Sequence, residues 1–201
     1  MIGIEERVLL SAHTTFRVGG PAKFFVRAAS IPEIAETLAW ARERGVPYFI
    51  LGGGTNVLVS DEGFPGLIVK IESGSLDVSD DGLITVDAGV PMGRVVQEAA
   101  KAGFKGLEWA AGLPGTVGGA VFGNAGAFGH ETGECIREVT AIGSAGIIGG
   151  SDPTILASPE IQFRYRWSSF KEWPGTVILR VVFQLQAGND PTVIAAEMQR
   201  V

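Results

Sequence analysis

Residues 112–129 read "GLPGTVGGAVFGNAGAFG": seven glycines in eighteen positions, one proline and no charged side chain. A glycine inside a helix or strand costs about 0.5–1 kcal/mol relative to alanine, so such a stretch is poor at holding itself together. Two uses would justify it. If Pro114 and Gly115 start a helical turn, Gly115, Gly119 and Gly123 share one face at i, i+4 spacing. A bulky partner can then approach the backbone, and free N–H groups at the start of the turn suit a phosphate. The alternative is close packing of the helix on a strand, for which one or two glycines suffice.

The rest of the chain narrows the choice. It has 201 residues, 46% hydrophobic and 19% charged, with 29 glycines, about twice the usual share. Its length allows one large domain or two small ones. The formal net charge is −6, the pI is near 5.0 and the mean hydropathy is +0.27. No basic stripe marks a nucleic-acid footprint. Cys135 is the only cysteine, which excludes an internal disulfide and fits a cytoplasmic protein. The start, "MIGIEERVLL", lacks the basic and apolar regions of a signal peptide. Trp109 to Gly129 is uncharged and long enough to span a bilayer, but its glycines, proline and asparagine argue against a membrane helix.

Local patterns predict an α+β chain. "AKFFVRAA" (22–29) reads as a strand, followed by a helix that Ser30 and Glu33 open as a capping box and Gly45 closes. Ile31, Ile34, Ala35 and Leu38 form the inward face of that helix. "VPYFIL" (46–51) reads as a short buried strand, "VLVSD" (57–61) as another and "GLIVKI" (66–71) as a third. The polar "ESGSLDVSDDG" (72–82) marks a boundary near residue 72. Beyond it, "LITVDAG" (83–89) is a strand, "PMGRVVQEAAKAG" (91–103) a helix, and "REVTAI", "GIIGG" and "TVILRVVFQLQ" are strands. A last helix, capped by Asn189 or Asp190 with Pro191 behind it, begins just before residue 201. It either packs back on the body or opens a further domain.

Three constellations carry chemistry. "LGGGTNVLVSD" (51–61) follows a strand but lacks the third glycine and the helix of a dinucleotide fingerprint. It serves equally as a nest of backbone N–H groups or as a glycine-rich turn. "FRYRWSSFK" (163–171), if extended, sets Arg164 and Arg166 on the face opposite Phe163, Tyr165 and Trp167. By spacing alone that is an ordinary solvated strand face. His13 and His130 have no third partner at metal-site spacing, so no metal is expected. Ser151 to Ser158 holds no nucleophile elbow, and nothing near Cys135 marks it as reactive. Two glycine loops in one chain point to a large phosphate-bearing ligand, such as a dinucleotide cofactor.

"HTTFRVGGPA" (13–22), "LGGGTNVLVSD", "GLEWAAGLPGTVGGAVFGNAGAFG" (106–129) and "FRYRWSSFK" together resemble the bacterial UDP-N-acetylenolpyruvoylglucosamine reductase family, in order and spacing. The resemblance implies the FAD-binding fold of vanillyl-alcohol oxidase: subdomains at 1–71 and 72–187 with FAD between them, and the start of a C-terminal substrate-binding domain at 188–201. It implies cofactor contacts from Gly52, Gly53, Gly54, Thr55 and Asn56, and from Gly112, Pro114, Gly115, Thr116, Gly118 and Gly119. It makes Arg166 the catalytic cation and places Tyr165 near a nucleotide-sugar substrate. The family passes hydride from NADPH through FAD to an enolpyruvyl double bond, in peptidoglycan synthesis, as a cytoplasmic monomer. Its general-acid serine, in a Gly-Ser/Cys-x-Phe-Lys-Asn-Pro motif, and its partner glutamate lie in the C-terminal domain. No residues here match that motif, and Ser168 and Ser169 are not its equivalent. Cofactor binding without complete catalysis is therefore expected of these 201 residues. A standalone nucleotide-binding module and an FAD-dependent oxidase of the same fold are the alternatives.

Overall fold

The Ser30 side chain accepts a hydrogen bond from the Glu33 N–H at 3.3 Å and starts the first helix where the sequence places it. The Glu33 carboxylate accepts from the Ala29 N–H at 2.7 Å, one residue earlier than in a reciprocal capping box. At the other end Gly45 and Val46 donate back to Arg42 and Ala41, the paired bonds of a Schellman stop. The structure, a computed structural model, describes residues 2–143, 150 and 152–200. The chain divides into two compact units, Met1–Gly74 and Ser75–Val201.

The first unit holds β1 (Glu5–Leu9), β2 (Pro21–Ala28), α1 (Ile31–Glu43), β3 (Tyr48–Leu51) and β4 (Phe64–Ile71). The sheet order is β1-β2-β4-β3, with β1 antiparallel to β2 and both β2 and β3 parallel to β4. Period-two alternation along β2 sends Phe24 to Trp40 of α1, an edge-on pair 5.4 Å apart. Phe25 points to the other face, into a cluster with Leu10, Ala22, Leu51 and Ile68. The buried face of α1 is Ile34, Thr37, Leu38 and Ala41, with Ile31 and Ala35 at its margin.

Two expectations fail here. β3 is an edge strand, and Phe49 stays 43% exposed, so it is not a buried strand. Residues 57–60 form no strand at all. Val57 and Val59 pack against the Leu10–Phe25 cluster, and the Gly20 N–H donates to the Ser60 carbonyl at 2.8 Å. Their alternation reflects half-burial of an extended loop with no ladder partner beside it.

The second unit holds β5 (Leu76–Val78), β6 (Leu83–Asp87), α2 (Met92–Lys101), α3 (Val117–Gly123), β7 (Gly126–Ala127), β8 (His130–Glu131) and β9 (Ile136–Ile142). It continues with β10 (Thr154–Ala157), β11 (Phe163–Arg164), β12 (Trp167–Ser168), β13 (Val177–Gln184) and α4 (Pro191–Met198). Five strands form an antiparallel sheet, β10-β9-β13-β6-β5. Arg180 and Asp87, opposite each other on β13 and β6, pair at 2.9 Å, with Asp87 buried. α2 buries Met92, Val95, Val96, Ala99 and Ala100. Asp190, not Asn189, caps α4, accepting from the Thr192 N–H at 2.8 Å. α4 packs back on α2, burying Ile194 and pairing Glu197 with Lys105 at 3.0 Å. The expected strand at "GIIGG" falls largely outside the described residues.

Removing the cap of α1 by Ser30→Ala is expected to lower stability by about 1 kcal/mol, read as a shift of the urea midpoint at unchanged m-value. A midpoint that does not move would show that the Glu33–Ala29 bond caps the helix alone.

Candidate functional site

Each unit carries one of the glycine loops. In the first, "GGGTN" leaves the end of β3 and is locked to the preceding motif: the Thr15 N–H donates to the Gly54 carbonyl at 2.9 Å. Gly54 has φ +66, and a Cβ on it would run into the His13 carbonyl oxygen and approach Thr14 Cα at 3.0 Å, so only glycine fits. Gly54 is buried, Gly52 and Thr55 are half-buried, and Gly53 and Asn56 are exposed. Among the described residues, the backbone N–H groups of Gly53, Gly54, Thr55 and Asn56 donate no hydrogen bond. These are four successive donors without protein partners. His13, beneath it, stacks on Phe25 at 4.6 Å. Burial first, then the Lys70 and Arg27 charges, hold its imidazole pKa below the usual value.

In the second unit, the glycine-rich stretch departs from the expected helix. Gly115 has φ +104 and lies outside α3, whose N-cap is Thr116. The first two N–H groups of α3 are not free. Val117 donates to the Val90 carbonyl and Gly118 to the Ala88 carbonyl, both at 2.9 Å, while the Gly115 carbonyl accepts from the Met92 N–H at 3.0 Å. These bonds occupy the first two of the donors expected to be free at that helix start. Gly118 and Gly126 are packing glycines: a Cβ on the first would lie 2.9 Å from the Ala88 Cβ, and one on the second would run into the His130 carbonyl oxygen. Gly112 and Gly123 face open space, and a Cβ on Gly119 would meet only the Thr116 hydroxyl, at 3.6 Å. Gly112, Pro114 and Gly119 are exposed, Gly115 is half-buried and Thr116 is buried. Close packing thus accounts for some glycines of the stretch and not for Gly112, Gly119 or Gly123.

Residues 163–168 are not extended. They form a hairpin, β11 against β12, with Tyr165 and Arg166 as its two-residue tip. Arg166 takes φ +55, a left-handed conformation that costs a side-chain-bearing residue about 1–2 kcal/mol. Its guanidinium lies 5.8 Å from the Tyr165 ring centre, and Tyr165 is 81% exposed. A second hairpin, β7 against β8, turns through Phe128 (φ +53) and Gly129 (φ +85). The two tips line one cavity of about 350 Å³, with His130, Glu131 and Glu134 among its walls. His130 sits 3.0 Å from Glu134 and stacks over Trp109.

The serines beside Arg166 are structural. Ser168 is fully buried and donates to the Phe122 carbonyl at 2.8 Å, and Ser169 accepts from the Gln162 N–H at 2.7 Å. The Cys135 thiol is pushed up to about 11 by burial first, then by the Glu134 and Glu108 carboxylates, and is no nucleophile. Among the described residues no cluster of metal-ligating side chains exists. No described helix is long and apolar enough to cross a membrane. One residue that sequence reasoning missed is Asn124, the left-handed C-cap of α3, which is completely buried.

Comparison with known proteins gives this geometry a context. Residues 22–148 match the family described as FAD binding domain. The UDP-N-acetylenolpyruvoylglucosamine reductase of Synechococcus sp. (strain WH7803) is 40% identical over 202 residues, covering 98% of this chain and 62% of that protein. The Protochlamydia amoebophila (strain UWE25) protein of the same name is 37% identical over 92% of this chain and 60% of its own. The crystal structure of the Thermus caldophilus UDP-N-acetylenolpyruvylglucosamine reductase superposes with a TM-score of 0.82 at 32% identity, over 100% of this chain and 68% of that one. A cholesterol oxidase from Brevibacterium sterolicum, 13% identical with a TM-score of 0.67 over 92% of this chain, shares the fold alone. The α+β FAD-binding fold expected from the motifs is the one adopted. The chain spans about 62% of the length of the curated relatives.

Because the His13 pKa in the folded state lies below 6.5, the unfolded chain takes up the proton first as pH falls. The stability contributed by the neutral ring is complete above 6.5 and is lost as pH falls through the lowered folded value. Between about pH 7 and pH 5, the parent's urea midpoint is expected to fall further than that of His13→Gln. Parallel pH profiles would refute this.

Proposed function

We propose that this chain, which belongs to the UDP-N-acetylenolpyruvoylglucosamine reductase family, carries the FAD of an NADPH-dependent enzyme. That enzyme reduces the enolpyruvyl group of UDP-N-acetylglucosamine enolpyruvate to give UDP-N-acetylmuramate, a cytoplasmic step of peptidoglycan synthesis, and works as a monomer. When bound, the cofactor supplies the hydride chemistry.

The residues present fit such a group. The unpartnered N–H groups of Gly53 to Asn56, with Gly52 at the entry to the loop, would hold phosphate oxygens. The bare backbone at Gly112, Pro114, Gly115 and Gly119 would take the chain between phosphate and ring, while Thr116 and Gly118 fix that backbone from beneath. Arg166 would face the substrate carboxylate. A guanidinium held there would stabilise negative charge as it grows on the carboxylate side of the reacting double bond. Tyr165, at the same tip, would pack beside the substrate.

The observation that carries this reading is the bare backbone at Gly112, which faces open space, and at Gly119, where a Cβ would meet only the Thr116 hydroxyl, so that close packing explains neither glycine. The test is cofactor uptake. The 201-residue chain is expected to be yellow after desalting, or to become so with added FAD; a protein that takes up none would overturn the proposal. Gly119→Val should weaken FAD affinity far more than it lowers the thermal midpoint. Gly118→Val should do the reverse, since it forces α3 away from Ala88.

Arg166→Ala should leave FAD uptake intact. In a protein that also carries the C-terminal portion of the relatives, it should slow reduction of the enolpyruvyl substrate by about 10²–10³ at an unchanged rate of cofactor reduction by NADPH. Loss of FAD with a normal rate per bound cofactor would contradict the assignment.

A further inference from the structure

Arg166 sits at a hairpin tip, and a two-residue turn between two-residue strands does not hold a left-handed arginine by itself. Three contacts do. The Asn124 amide donates to the Arg164 carbonyl at 2.9 Å, on the incoming arm. Ser168, on the outgoing arm, donates to the Phe122 carbonyl at 2.8 Å. The Lys171 ammonium donates to the carbonyl of Arg166 itself at 2.8 Å. Both arms are thereby tied to the last turn of α3, and the peptide that leaves the strained residue is held from outside.

Asn124 is used to its full donor capacity. Its Nδ2 donates to Glu131 at 2.6 Å as well as to Arg164, and its Oδ1 accepts from the Gly133 N–H at 2.9 Å. A flipped amide would set oxygen against both acceptors, so the orientation follows from the partners. No other uncharged side chain of that size offers two donors and an acceptor from a left-handed C-cap.

We propose that Asn124 and Lys171 are positioning residues for Arg166: the buried amide fixes the hairpin arm, and the exposed ammonium fixes the tip peptide. This rests on the role given to Arg166 above. Glycine at position 124 keeps the left-handed cap without strain while deleting the clamp. Lys171 is on the surface, so its removal does not threaten the fold.

The deciding measurement is backbone amide hydrogen exchange in the 201-residue chain. Asn124→Gly and Asn124→Asp are expected to speed exchange at residues 164–168 by about tenfold, with β9 and β13 unchanged. Lys171→Met should do so at Arg166 and Trp167, and Lys171→Arg should restore protection. Unchanged exchange at the tip, or acceleration spread evenly over the unit, overturns the positioning role. A second measurement separates the two layers of the reading: binding of UDP-N-acetylglucosamine enolpyruvate to the FAD-loaded chain, followed by flavin absorbance. If Arg166→Ala weakens binding and Asn124→Gly adds nothing further on top of it, the clamp acts through Arg166. If Arg166→Ala binds as the parent does, the role of Arg166 falls, and exchange alone decides whether the clamp exists.

Discussion

The second unit depends on how closely one short helix approaches one turn. α3 lies against Ala88 because residue 118 has no side chain, and that proximity lets the carbonyls of Ala88 and Val90 accept from the first two N–H groups of α3. The reverse bond, Met92 N–H to the Gly115 carbonyl, ties the start of α2 into the same knot. A single methyl group at residue 118 would lie 2.9 Å from the Ala88 Cβ and force α3 and that turn apart. The approach uses the helix's own orphan donors to join two elements, while Gly112 and Gly119 stay exposed.

Around the two hairpins that follow α3, side-chain amides and hydroxyls tie the chain to its neighbours. Asn124, Thr132 and Ser168 are fully buried, and each donates a hydrogen bond to the backbone of a neighbouring segment. Such contacts are directional, whereas apolar packing fixes volume more than orientation. The hairpins around the cavity contain only two-residue strands, and the aromatic side chains at their tips, Phe128 and Tyr165, are exposed and anchor nothing in the core. Directional bonds are the means by which so little chain holds Phe128 and Arg166 in left-handed conformations.

The parts of the fold legible in the sequence were those with local causes. Ser30, Gly45 and the apolar period of α2 act within a few residues, and the elements they predict are present. Where neighbours decide, the pattern misled. Val57 and Val59 alternate like a strand because one side is half-buried, but a strand also needs a partner. β3 is apolar enough to be central and lies at an edge, since composition carries no information on sheet order. "FRYRWS" alternates through a turn whose tip, Tyr-Arg, contains none of the usual turn residues. Among the seven glycines, nothing local separates Gly118, which packs, from Gly119, which does not; only Ala88 does. Asn124 was invisible for the same reason, its partners lying at residues 131, 133 and 164.

The order of the five-stranded sheet sets a schedule for synthesis. β13 lies between β9 and β6, so the strand translated last of the five occupies the middle. β6 ends at Asp87 and β13 begins at Val177, an interval of 90 residues. At roughly 5–20 residues per second, β6 waits on the order of ten seconds on the ribosome with one edge open, and β9 waits for part of that time. During this interval the apolar faces of β5–β6 and β9–β10 form two separate fragments, each with an unpaired edge. The nascent chain is most exposed to misassociation just before its sheet can close, and release from that hazard comes all at once.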